Sequence, residues 1–175
     1  MRAQTLVSKK SHVNSNQNFI LRRTTLALIM AFSSAAALAG PPAPNQLPIG
    51  GVVTSGQATI SSGSNTAVIN QTTGKAAINW NSFSVGSNAT VKFNQPDASS
   101  VTLNRVQSAN PSQIYGNIQA NGQIYLVNRS GIYFAPGANV NVGGIVATTQ
   151  QMSDADFMSG KSTFSGSGGT VVNDG

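Results

Sequence analysis

From Gly51 onward the chain is cut by turn residues into short apolar alternations, and this segmentation limits what it can become. The pieces read VVTSG, QATISSG, TAVINQTTG, KAAINWNSFSVG, NATVKFNQPD, SSVTLNRV, SQIYGNIQANG, QIYLVNRSG, IYFAPG, ANVNVGG and IVATT. Gly, Asn, Asp and Ser supply the breaks: glycine tolerates left-handed backbone, and the polar side chains bond to their own turns. Within the pieces, apolar residues fall two apart, as at Ala67 and Ile69, Ile78 and Trp80, Ile124 and Leu126, Ile132 and Phe134, and Val140 and Val142. Period two belongs to strands. The expected class is all-β.

Two all-β solutions compete. An antiparallel sandwich would close by hairpins, for which Asn121-Gly122 is a signal. A parallel β-helix stacks each short strand on its equivalents in neighbouring coils. Strands of about three to five residues favour the second. So does asparagine at the strand edges (Asn70, Asn79, Asn94, Asn104, Asn117, Asn128, Asn139 and Asn141), because stacked amides can satisfy sharp corners coil after coil. Gly51 to Ile69 is expected to cap one end. At the other, GGTVVNDG still reads as coil, as expected of a chain truncated there. Thr148 to Gly160 breaks the pattern: Ser153 and Asp156 have capping-box spacing and Gly160 is a stop, which predicts one short helical turn.

The leading residues carry a different signal. Arg2, Lys9, Lys10, Arg22 and Arg23 precede the apolar run LALIMAFSSAAALA, and Ala37-Leu38-Ala39 supplies small residues for cleavage. This is the pattern of a secretory signal peptide over 1–39, addressed to the general secretion machinery. The apolar run falls short of the roughly 20 residues a membrane span needs. Residues 40–50 (GPPAPNQLPIG) read as an extended lead-in, and 51–175 as the β-helical domain. Past the leader, Lys75, Lys92, Arg105, Arg129 and Lys161 face Asp97, Asp154, Asp156 and Asp174, five against four, so the +6 of the whole chain belongs to the leader. Scattered basic residues exclude a nucleic-acid partner.

An exported β-helix could be a polysaccharide lyase or hydrolase, but those chemistries need paired carboxylates or a base in a cleft. Past the leader there is no glutamate or cysteine, and the single histidine, His12, lies within the leader. Asp97 in QPD reads as a turn residue, and Asp154 and Asp156 as helix caps. No cofactor or metal is expected. Arg105 lies inside a strand-like piece, either facing outward to solvent or bridging neighbouring turn carbonyls through its fork. Tyr125 and Tyr133 alternate with the core-facing pairs. They are expected to face outward, where a binding surface would use them.

The pieces AINWNSFSVG, VKFNQPD, VTLNRV, SQIYGNIQANGQIYLVNRSGIYFAPGANVNVGGIVATT and DADFMSG, in this order, resemble the amino-terminal secretion domain of two-partner-secretion exoproteins of the filamentous haemagglutinin and haemolysin type. The resemblance implies a right-handed, single-stranded parallel β-helix that serves as export signal for a larger surface or secreted exoprotein. It implies an outer-membrane β-barrel transporter with periplasmic docking domains as partner, and folding at the surface of a diderm bacterium. A host or neighbouring-cell ligand would bind the passenger. The family's Asn-Pro-Asn-Gly-Ile turn falls on Asn128, Arg129, Ser130, Gly131 and Ile132, with Arg129 in place of proline and Ser130 in place of the second asparagine. Asn104, Arg105 and Val106 match its Asn-Arg-Val. These positions are the candidates for partner recognition or turn architecture. The alternatives are an autonomous adhesive module and a non-functional remnant of a larger exoprotein.

Overall fold

A computed structural model describes residues 40–175; the leader lies outside the described residues. The strands are β1 (Val52–Ser55), β2 (Ala58–Ser62), β3 (Thr66–Gln71), β4 (Lys75–Trp80), β5 (Thr90–Asn94), β6 (Val101–Val106), β7 (Ser112–Ile114), β8 (Asn117–Ala120), β9 (Gln123–Asn128), β10 (Ile132–Phe134), β11 (Asn139–Asn141), β12 (Gly144–Thr148) and β13 (Val171–Asn173). One helix, α1 (Asp154–Met158), lies between the last two.

The strands build three sheets in the orders β1-β4-β6-β9-β12, β11-β8-β5-β3-β2 and β13-β10-β7. Each full coil visits all three, as β5, β6 and β7 do before the chain returns to β8. The first coil touches the third sheet through one parallel bridge, Val85 to Ile114. Pairing within the stack is parallel and mostly in unbroken register: Lys75 lies beside Val101, Val101 beside Gln123, and Gln123 beside Gly144. This is a parallel β-solenoid with a coil of roughly 20–27 residues. The expected class and the single helical turn are both present.

The cap is shorter than the sequence implied. Only β1 and β2 run antiparallel, against β4 and β3 respectively. β3 already pairs in parallel with β5, and its Ile69 is fully buried in the column. The antiparallel pairs occupy the ladders that another coil would use, and so protect the edges of two sheets. The lead-in also docks on this end: Leu47 packs against the core, and Ile49 pairs with Ser82.

The column interior holds Ala67, Ile69, Ile78, Trp80, Phe83, Val91, Phe93, Ile114, Ile118, Ile124, Leu126 and Ile132. Burying each large side chain contributes about 1.5–3 kcal/mol. Clean alternation fails in KAAINW, VTLNRV and QIYLVN because their sheet is covered on both faces. Outside the column Ala77, Leu103 and Val127 are buried with Met152 and Phe157 in a second cluster. A sheet covered on both sides loses its polar face, hence its period-two pattern.

Candidate functional site

The matched turn begins where β9 ends. Asn128 is fully buried, and its Oδ1 accepts the Ser130 N–H at 2.9 Å, closing the corner on itself. Its Nδ2 donates to the Asn110 carbonyl at 3.1 Å and the Ser112 hydroxyl at 3.0 Å, both one coil earlier. The Ser130 hydroxyl donates to the Ser108 carbonyl at 2.8 Å, so serine makes a cross-coil bond of its own at this position. Gly131 has φ +122°, backbone that a side chain rarely adopts, and Ile132 turns into the core. On the following side the Arg129 carbonyl accepts from Gly169 at 2.7 Å and Ile132 donates to Thr170 at 3.0 Å. The Arg129 side chain itself is exposed. The corner is therefore stitched to coils on both sides, and its most exposed residue is the one that stands in for proline.

Asn104 and Arg105 lie on opposite faces of β6. Asn104 points into the column, where its Oδ1 accepts the Trp80 indole N–H at 3.0 Å. Its Nδ2 reaches the carbonyls of Thr102 at 3.3 Å and Tyr125 at 3.4 Å. Arg105 points outward, yet it is mostly covered. One nitrogen donates to Asn79 Oδ1 at 3.1 Å and another pairs with the Asp154 carboxylate. Its fork thus clamps a carboxylate and a side-chain amide, in place of turn carbonyls. Hydrogen bonds from Arg105, Thr54 and Ser55 outweigh the effect of partial burial and hold the Asp154 carboxyl below its ordinary range.

The two tyrosines have separate surroundings. Tyr125 leaves the column outward but is half-buried, with its ring 6.1 Å from Phe157 and 6.0 Å from Phe164. Tyr133 is also half-buried, edge-on to Tyr115 at 6.0 Å in a groove of about 570 Å³ that Pro41, Pro111 and Asp174 help to line. Burial, then the Asp174 carboxylate, raises the Tyr133 hydroxyl above its usual pKa.

Sequence reading missed a polar network inside one corner. Gln71 Oε1 accepts from the Thr102 hydroxyl at 2.5 Å. Gln95 Nε2 lies 3.1 Å from the Ser100 carbonyl, the Thr102 hydroxyl and the Gln123 carbonyl, while its Oε1 accepts from Gly122 at 2.9 Å. Asn121 pairs with the Gln95 backbone through both amide atoms at 2.7 Å. The available signal was glutamine ending successive strands of one sheet, at Gln71 and, just past β5, at Gln95. Among the described residues no cluster of His, Cys, Asp or Glu could hold a metal.

Such a geometry defines a class: a capped β-solenoid whose polar groups are spent on stitching coils together. A profile of the TPS secretion domain matches residues 45–175, and the chain belongs to that family. Members of the family are exported to the surface of diderm bacteria, and the domain is a non-catalytic secretion module. The crystal structure of the HMW1 secretion domain from Haemophilus influenzae is similar at 30% identity and a TM-score of 0.66. The match covers 72% of this chain and 35% of that one. A heme/hemopexin-binding protein from Haemophilus influenzae strain Rd is 45% identical over 106 residues, 61% of this chain and 12% of the relative. A second protein of that name from Haemophilus influenzae is 45% identical over 84 residues, 48% of this chain and 9% of its own length. The chain spans about a tenth of these curated relatives.

Proposed function

We propose that this domain is the export signal of a larger exoprotein. A partner outer-membrane β-barrel transporter with periplasmic docking domains recognises it before it folds, and it then nucleates β-helix growth outside the cell. The observation that carries the nucleation step is the unlike ends of the solenoid. Antiparallel β1 and β2 cover one end, whereas β11, β12 and β13 each end a parallel sheet at the other. There Phe134, Val140, Ala147 and Val171 line an open hollow of about 430 Å³. A chain continuing in the same style would pair with those edges and cover that hollow, while growth is blocked at the capped end.

Recognition belongs to Asn104, Arg105 and the Asn128–Ile132 turn, with the exposed Arg129 setting partner specificity. Adhesion or ligand binding belongs to the passenger. The relatives are named for binding heme and hemopexin, which makes these the first ligands to try with the whole exoprotein. The test is secretion of the full chain with and without its cognate transporter. Chain retained in the periplasm without the transporter is the expected result, and equal surface display in both strains overturns the reading.

A further inference from the structure

The last coil contains an insertion. β10 pairs with β7 from about 20 residues along the chain, but β13 pairs with β10 from about 39. The added length leaves the stack after β12 and is pinched at its neck by the antiparallel bridge between Gln151 and Ser165, with hydrogen bonds of 2.8 and 2.9 Å. The loop so closed contains α1, capped by Ser153, whose Oγ accepts the Asp156 N–H at 3.1 Å.

This loop lies on the outer face of the β1-β4-β6-β9-β12 sheet. There Ser55, Ala77, Leu103 and Tyr125 stand in one cross-strand column, and Asn79, Arg105 and Val127 in the next. Met152 and Phe157 are each 3% exposed, and they bury Ala77, Leu103 and Val127 beneath them. Polar contacts fasten the loop at three strands. Asp154 pairs with Arg105 of β6 and accepts the Ser55 hydroxyl of β1 at 3.1 Å. From β4, Lys75 Nζ donates to the Phe157 carbonyl at 3.0 Å and sits 5.8 Å from the Phe157 ring centroid.

Every strand that the loop touches precedes it in the chain, at separations of 49 to 99 residues for the polar contacts. None of its partners exists as a surface until three coils are in register. Asn79 orients Arg105 from one coil, while Ala77, Leu103 and Tyr125 come from three. We propose that residues 151–165 form a late-closing strap. It docks on the completed stack, and Asp154, latched on Arg105, then fixes the cap strand β1 from outside. Arg105 acts here as a positioning residue through Asp154. The meaning for export rests on the export-signal reading: in a chain delivered amino end first, closure waits until the strap itself has emerged. Until then the apolar column stays uncovered and β1 is held only by its ladder.

The test needs no transporter, so it stands or falls separately from export. Native-state hydrogen exchange on the purified, folded chain compares wild type with Asp154→Asn and Phe157→Ala. Exchange about tenfold or more faster at Val52–Ser55 and across the strap, with β5 and β8 unchanged, is expected. Unchanged protection of β1 in both variants, or equal loss in every strand, overturns the proposal. Refolding gives a second measure, since the chain has no cysteine. In Met152→Cys, Trp80 fluorescence reports the column and pulsed thiol labelling reports the strap. Thiol protection appearing after the Trp80 change supports late closure, and simultaneous appearance overturns it.

Discussion

Trp80 donates its indole N–H to Asn104 at 3.0 Å inside the column, joining the first coil to the second with both side chains buried. The same amide reaches the Tyr125 carbonyl in the third coil. A buried asparagine in an apolar column is costly unless satisfied, and here both of the polar atoms of Asn104 have partners.

Trp80→Phe keeps most of the packing but leaves the Asn104 oxygen without its donor. It is expected to lower unfolding stability by about 1–3 kcal/mol, the cost of an orphaned buried acceptor. Asn104→Leu orphans the indole instead and costs a similar amount. The double variant is expected to lose less than the sum of the two singles. Urea unfolding of the four proteins in a double-mutant cycle checks this, and strict additivity would refute the coupling.

Asn128→Ala removes three hydrogen bonds from a fully buried site. A loss of about 2–4 kcal/mol is expected, since unsatisfied buried groups cost about 1–3 kcal/mol each and the corner can relax in part. Two measurements separate architecture from recognition: the stability of the folded chain, and binding of the unfolded chain to the transporter. An architectural asparagine lowers the first and leaves the second unchanged. If Asn128 is read directly by the partner, both fall.

Arg129→Pro restores the family's proline. Asn128 ends a strand, which is the conformation that favours a following proline, and Arg129 has no positive φ. The expected effect on stability is between zero and a gain of about 1 kcal/mol, because proline restricts the unfolded chain. Thermal unfolding checks it; a loss of several degrees would show that this corner cannot take the ring. Transporter affinity measured on the same variant tests whether the exposed Arg129 sets specificity.

Much of the column was legible because an inward pair such as Ile124 and Leu126 follows directly from period two, and the turn residues mark where each strand stops. Ser153, Asp156 and Gly160 likewise gave the helical turn through local capping chemistry. What was not legible depended on residues far apart in sequence. Nothing adjacent to Asp154 announces Arg105, and nothing in VTLNRV says that Leu103 will be covered from outside by Phe157. Tyr125 shows the limit best: alternation directs it away from the column, but its cover comes from an insertion more than a coil later. Gln71 and Gln95 were missed because glutamine usually faces solvent, and only stacked corners bring the two onto Thr102.

Gln95→Glu tests that corner. The Gln95 amide nitrogen faces two carbonyls and a hydroxyl, so a carboxylate there would oppose the Ser100 and Gln123 oxygens. Gln95→Leu removes the donor without adding charge, and should cost about 2–4 kcal/mol as several groups lose their partner. Glutamate should cost more near neutral pH and recover part of the loss in acid, where it protonates and donates again. Equal stability of the two variants at every pH would exclude the network as arranged here.

Acid stability follows from Asp154 and Asp97. Asp154 is faced by Arg105 from β6 and by Thr54 and Ser55 from β1, while Lys75 from β4 holds the other end of α1. Asp97 accepts from the hydroxyls of Ser99 and Ser100, and these bonds also lower its carboxyl. Both folded-state values lie below the unfolded one near 3.8, so each stabilises the fold above that value. That contribution is lost as pH falls through the depressed folded values, because the unfolded chain then binds protons more readily. Residues 40–175 contain no histidine, so no side chain of ordinary pKa among them titrates near neutrality, and their stability is expected to be flat from about pH 5 to 8 and to fall below about pH 4. Asp154→Asn should be less stable than wild type at pH 7, and the gap should narrow as pH falls through the depressed folded-state value of Asp154. Thermal unfolding between pH 2 and 8 measures both curves. A gap that stays constant into acid would mean that asparagine disturbs the packing of α1, and that the charge on Asp154 contributes nothing to holding the strap.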